Sequence, residues 1–267
     1  MPVVKGRNTL MENKFNEINK RYTELTEIIT LSLPAVAGSL LKSNFKYTSK
    51  ALLMFVAKSG YLSSSIVSLC QGGCIYSSSI LFRSLIEHYF RHLYLYTRAL
   101  KDNNDSVGID YYKNLKGCED LEATSKISSF NFIINPDETR WNFNDEQNKK
   151  LKKIGELFQI KKILVYIVNN FDRNESQLNI FSKDIKNFLK NRLTEYTRLS
   201  SSVHGGPFAE LIMNNHHLNN EKGEADLMNF ANQSYTMQKA IAESTFLFAF
   251  LMDDKCEEPY KNIAALP

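Results

Sequence analysis

Two side chains near the end of one predicted helix could together do proton transfer on a phosphate. Arg198 and His204 stand in the stretch from Asn191 to Pro207, with five residues between them. Gly205 and Gly206 supply a C-terminal stop and Pro207 cannot continue the hydrogen-bond ladder, so both side chains belong to the last two turns. A guanidinium grips phosphate oxygens in a planar fork, and an imidazole takes and returns a proton near neutral pH. The same residues also have a plainer use, with the histidine as a charge–dipole cap and the arginine as solvated surface. Ser200, Ser201 and Ser202 lie between them. No nucleophile elbow surrounds these hydroxyls and no third group orients His204 in the manner of a triad, so Ser201 counts as a supporting group rather than a nucleophile.

A second constellation lies far upstream. Arg83 and Glu87 are four residues apart and share one helix face. His88 follows directly but points about 140° away from Arg83 at about 100° per residue. The expectation is a buried or half-buried Arg83–Glu87 pair that positions Arg198 or His204; the alternative is a salt bridge that only fixes packing. His88 and His92 have metal-ligand spacing, yet no spacing marks a ligand on another helix. Glu243 and the pair His216–His217 are merely available, so no metal is expected and the two histidines read as surface or partner-facing. Lys149, Lys150, Lys152 and Lys153, with Lys161 and Lys162, could track an RNA backbone, although such a run reads first as a solvated face. Gly72–Gly73 and Gly205–Gly206 lack the strand and spacing of a nucleotide loop, and no cofactor is implied.

The elements that must position these groups are helical. The chain has 267 residues, is 43% hydrophobic and contains only 11 Gly and 6 Pro, which favours helices over many-turned β folds. The formal net charge of +4 permits nucleic acid without demanding it. Cys70, Cys74, Cys118 and Cys256 form no Cys-x-x-Cys motif and read as reduced thiols in a cytoplasmic protein. The N-terminus has no apolar signal core. Residues 59 to 82 carry no charge, but their serines, Gln71 and Gly72–Gly73 read as a helix buried in protein rather than a membrane span.

Periodicity predicts an amphipathic helix over 7–32 ended by Pro34, a second over 36–58 stopped at Gly60, and a third region over 61–101 split or bent at Gly72–Gly73. It predicts further helices over 108–126, 146–160, 160–171 and 181–203, a short one after Pro207, and a last one over 225–255. Residues 127–144, with Asn135-Pro136 and Trp141, read as a loop or extended segment. With no repeat and no clear linker, the expectation is one all-α domain. Its core bundle covers about 36–255, with the N-terminal helix as a packing or oligomerisation extension.

Taken together, Arg83-Ser-Leu-Ile-Glu87 and the downstream Tyr196-x-x-Leu-Ser-x-x-Val-His204-Gly resemble a poorly characterised bacterial branch of the HEPN superfamily, over roughly residues 75–125 and 185–207. The resemblance implies a HEPN-like helical bundle whose Arg-x5-His signature cleaves RNA without metal, in toxin–antitoxin or phage-defence settings. His204 would be the acid or base and Arg198 would stabilise the phosphorane formed by 2′-hydroxyl attack, with Arg83, Glu87 and Ser201 in support. It also implies a homodimer in which two signatures face one cleft, and a partner protein from the same operon. Active members commonly carry a polar residue after the arginine; here it is Leu199. The alternative reading is a non-catalytic helical module that binds protein or RNA.

Overall fold

Gly72 and Gly73 interrupt the uncharged stretch 59–82, and Gly73 takes φ 76°, a left-handed conformation that glycine adopts without strain. That short turn folds helix α2 (Lys46–Gln71) back against helix α3 (Ile75–Asp102). The computed structural model describes residues 9–135, 146–171, 185–203 and 221–267. Besides these two helices it has α1 (Thr9–Leu40), the single turn α4 (Ser106–Ile109), a π-helical turn (Asp110–Leu115), α5 (Lys116–Ile134), α6 (Glu146–Leu157), α7 (Ile160–Phe171), α8 (Ile185–Val203), α9 (Glu221–Phe250), a 3₁₀ turn (Asp254–Cys256) and α10 (Glu257–Ala264). Among the described residues there is no strand, and the architecture is an all-α bundle.

Helix α3 is the axis. It packs against α2, α7, α8 and α9, so it is apolar nearly all round, with Phe82, Leu85, Ile86, Phe90, Leu93 and Tyr96 fully buried. Among the serines of α2, Ser49, Ser59 and Ser63 are buried, while Ser64, Ser65 and Ser68 face outward. Ser59 donates to its own helix at Val56 O, and Ser63 donates to Ser234 O of α9. Tyr22 of α1 shares a 2.7 Å hydrogen bond with Ser234 Oγ. Buried hydroxyls satisfied in this way cost little, which lets a serine-rich helix sit in a core. By length and composition α2 could cross a bilayer, but here Leu52, Phe55, Val56 and Ile66 are packed among the other helices.

Several expected boundaries move. Helix α1 continues through Pro34 to Leu40. Proline removes one ladder bond, a cost of about 3 kcal/mol, and Val36 and Leu40, both fully buried beyond it, offset that loss. Phe15, Ile18, Leu25 and Ile29 from the same helix join the main core. Gly60 lies inside α2 and does not end it, since its packed neighbours carry the helix on. Helix α5 runs to Ile134, through residues expected to be loop. The last long helix stops at Phe250, and α10 is separate. Trp141 and the short helix expected after Pro207 lie outside the described residues.

Helix α4 is held against the start of α2. Asp105 accepts hydrogen bonds from the backbone N–H groups of Tyr47 (2.8 Å) and Thr48 (2.7 Å), capping α2 from another part of the chain. Gly108 meets the same turn: a Cβ there would collide with Thr48 N and lie 2.6 Å from the Tyr47 carbonyl carbon.

His88 and His92 face inward, not outward. His88 Nε2 is 3.3 Å from Phe55 O, and His92 Nε2 is 3.1 Å from Thr245 Oγ1. Their rings pack on Phe55. Burial is the main cause that pushes both down to about 3, with nearby Lys58 adding to the effect at His88 and His88 itself at His92. Below pH 6.5 the unfolded chain takes up protons that the native imidazoles refuse. The stability they confer is therefore complete above about 6.5 and is lost as pH falls toward 3, by at most about 1.4 kcal/mol per pH unit per histidine. The urea midpoint should accordingly drop between pH 6.5 and 4.5. In a His88→Gln, His92→Gln chain that slope should flatten; an equally steep slope would remove the histidines as its cause.

Candidate functional site

The face between α3 and α8 gathers the upstream motif onto the helix that carries the downstream one. Arg83 and Glu87 pair at 3.5 Å, and Glu87 holds Arg91 on the next turn at 2.9 Å. One carboxylate between two guanidiniums leaves a surplus positive charge, and all three side chains are only partly buried. From α3, Arg83 crosses to α8. Its Nη2 donates to Tyr196 Oη at 2.9 Å and its Nε to Ser200 Oγ at 3.2 Å, with the guanidinium carbon 4.6 Å from the Tyr196 ring centre. Ser200 donates its own proton to Tyr196 O at 2.8 Å, which leaves a lone pair for Arg83. Burial raises the Tyr196 phenol, and the Glu87 charge raises it further against the opposing pull of Arg83 and Arg91. The phenol therefore stays protonated, able to donate. Exposed i,i+4 ion pairs stabilise by only a few tenths of a kcal/mol. What this ladder supplies is a fixed cationic surface with hydroxyls, the chemistry that binds an oxyanion.

Arg198 belongs to the opposite side of α8 from the Arg83 contacts. It lies two residues from Tyr196 and two from Ser200, which on an ideal helix is about 200° of rotation from each, and its side chain is exposed. Thus Arg83 reaches Tyr196 and Ser200 on the helix of Arg198. Beside Arg198 stands Glu195, which pairs with Arg192 at 2.9 Å and accepts from Asn229 Nδ2 of α9 at 3.3 Å. Burial raises the Glu195 carboxyl, while Arg192 and then Arg198 pull it back down. Leu199, the departure from the polar residue of the HEPN pattern, is fully buried. It is one of the apolar side chains, with Leu189 and Phe188, that seat α8 on the core.

Ser201 lies within the helical span of α8, and His204, Gly205, Gly206, Pro207, His216 and His217 lie outside the described residues. Tyr196, Arg91, Arg192 and Glu195 are not among the site residues that the sequence suggests. Tyr196 does open the downstream motif, and the Glu87–Arg91 and Arg192–Glu195 spacings, four and three residues, could have signalled the other three. Among the described residues no group of three His, Cys, Asp or Glu side chains could hold a metal ion. A cavity of about 360 Å³ between α1, α2 and α9, lined by Tyr22, Gly60, Ser64 and Gln238 among others, is separate from this face.

The model of a family of unknown function, DUF5677, covers residues 49–225, a span that includes both Arg83–Glu87 and Arg198–His204. No curated protein and no solved structure matches the chain.

Proposed function

The chain belongs to DUF5677, a family of unknown function, and for this chain we propose, on its own motifs, a HEPN-like, metal-independent endoribonuclease, a toxin or phage-defence effector. The observation that carries the reading is the meeting of two motifs more than a hundred residues apart in sequence: Arg83 hydrogen-bonds Tyr196 and Ser200 on the helix that carries Arg198.

In this mechanism the 2′-hydroxyl of the substrate RNA attacks the adjacent phosphorus, and the 5′-oxygen of the next nucleotide leaves. His204 moves the proton, and the Arg198 guanidinium faces the charge that builds on the phosphorane. Arg198 is exposed and so accessible to a strand. Arg83 is a positioning residue: tied to Glu87 on its own helix, it locks Tyr196 and Ser200 and so fixes the rotation of α8 about its axis. A homodimer would bring a second Arg198–His204 pair to the same strand, and an operon-encoded protein would restrain the activity. Leu199 supports the second reading, a non-catalytic module that binds RNA or a protein through the same face, because it gives the helix packing where active relatives have a polar group.

The deciding experiment is incubation of the purified chain with single-stranded RNA in EDTA. Cleavage that leaves 2′,3′-cyclic phosphate ends is the expected result. RNA left whole, with the protein folded, would reject the nuclease and leave the binding module.

A further inference from the structure

Helix α6 and the first turn of α7 carry Lys149, Lys150, Lys152, Lys153, Lys161 and Lys162, all exposed. Across Glu146–Phe171 these six lysines face two acidic residues, Glu146 and Glu156, a surplus of four. The formal net charge of the entire chain is +4, so the remainder of the molecule balances to zero. The charge of this protein is concentrated on one pair of helices.

That pair adjoins the α3–α8 face. At the corner between α6 and α7, the Phe158 ring centre is 5.5 Å from Tyr94 and 5.8 Å from Tyr111. Arg91 in turn is near enough to Tyr111 to pull its phenol down against the raising effect of burial. From Arg91 the cationic ladder continues through Glu87 to Arg83, about 12 Å further along α3 at about 1.5 Å per residue. We infer that the lysines of α6 and α7 form a track for the backbone of single-stranded RNA, leading to the arginine ladder and the exposed side of α8. The inference takes its RNA from the function proposed above and adds where the strand lies.

An anionic membrane is the competing polyanion. A helix built for a bilayer surface turns apolar side chains outward between its lysines. On α6 the intervening Leu151 and Ile154 turn inward instead, Ile154 onto the core and Leu151 to within 3.5 Å of the Cβ position of Gly117; Leu157 is the exposed exception. A flexible polymer, unlike a plane, can also follow the corner from α6 to α7 and on to Arg91.

The test is fluorescence anisotropy with a labelled oligodeoxyuridylate, which has no 2′-hydroxyl and cannot be cleaved by this chemistry. Changing all six lysines to Gln should weaken binding by about tenfold or more. It should also make the plot of log affinity against log salt shallower by about 0.7 for each phosphate that the variant no longer neutralises. The matching six-fold Arg variant should bind as wild type does, since it keeps the charge. Unchanged affinity and salt slope in the Gln variant would overturn the track while leaving the nuclease standing if RNA is still cut. Binding that depends on the lysines in a chain that never cuts RNA would do the opposite. Stronger capture by phosphatidylserine vesicles than by the oligonucleotide, abolished in the Gln variant, would also overturn it.

Discussion

His204→Ala is expected to slow RNA cleavage by about 10²–10⁴-fold, the range by which positioned acid–base groups accelerate proton transfer. Arg198→Ala is expected to lose about 10²–10³-fold, as when one donor to a developing oxyanion is removed. The Arg198 side chain is exposed, so its loss should leave the thermal midpoint nearly unchanged, which separates a chemical role from a structural one. Arg83→Ala should act differently. It frees Tyr196 and Ser200 and leaves Glu87 with Arg91 alone, so part of the lost rate should return with Lys at position 83, which restores a cation that can reach Glu87. Initial rates on one labelled RNA, with circular dichroism on each variant, decide the matter. A His204→Ala chain that cuts as fast as wild type would end the assignment of the imidazole.

Gly108→Ala should be the most damaging single methyl group in the described part of the fold. The added carbon would collide with Thr48 N and stand 2.6 Å from the Tyr47 carbonyl carbon and 2.7 Å from Thr48 Cα. These are backbone atoms at the start of α2 and cannot swing aside like a side-chain tip. Helix α4 must move away, and that movement strains both bonds from the Asp105 carboxylate to Tyr47 N and Thr48 N. Overpacking costs about 1–3 kcal/mol and a missing helix cap about 0.5–2 kcal/mol, so about 3 kcal/mol is expected for the two together. At roughly 2–4 °C per kcal/mol for a chain of this size class, the midpoint falls by about 6–12 °C. Asp105→Ala removes the cap without the collision and should lose about half as much. A Gly108→Ala chain melting within about a degree of wild type, on that same scale, would show that the contact yields easily.

Much of this architecture is legible in the sequence because helices announce themselves locally. Apolar residues at three- and four-residue intervals mark α1, α3 and α8, and scarce glycine and proline argue against strands. The Gly72–Gly73 break falls where two adjacent glycines in an uncharged run place it. The Arg83–Glu87 pair is also local, since four residues on a helix bring two side chains together whatever surrounds them. Boundaries fail where burial outvotes local preference. Pro34 does not end α1 because the turns beyond it bury Val36 and Leu40, and Gly60 does not end α2 because Ser59 before it and Ser63 after it are buried.

The amino-acid order by itself determined the helical class, the break between α2 and α3, and the pairing of charges one turn apart, because each depends on atoms a few residues from one another. Only the tertiary structure decided that His88 and His92 are neutral core groups, since their spacing is the same on an exposed face as on a buried one. It alone joined Arg83 to Tyr196 and Ser200, set Asp105 on the start of α2, and laid the corner of the lysine helices against Tyr94 and Tyr111. Those contacts join residues far apart along the chain, and the free energy that selects them comes from apolar surface buried by all the helices together, which no short window of sequence contains.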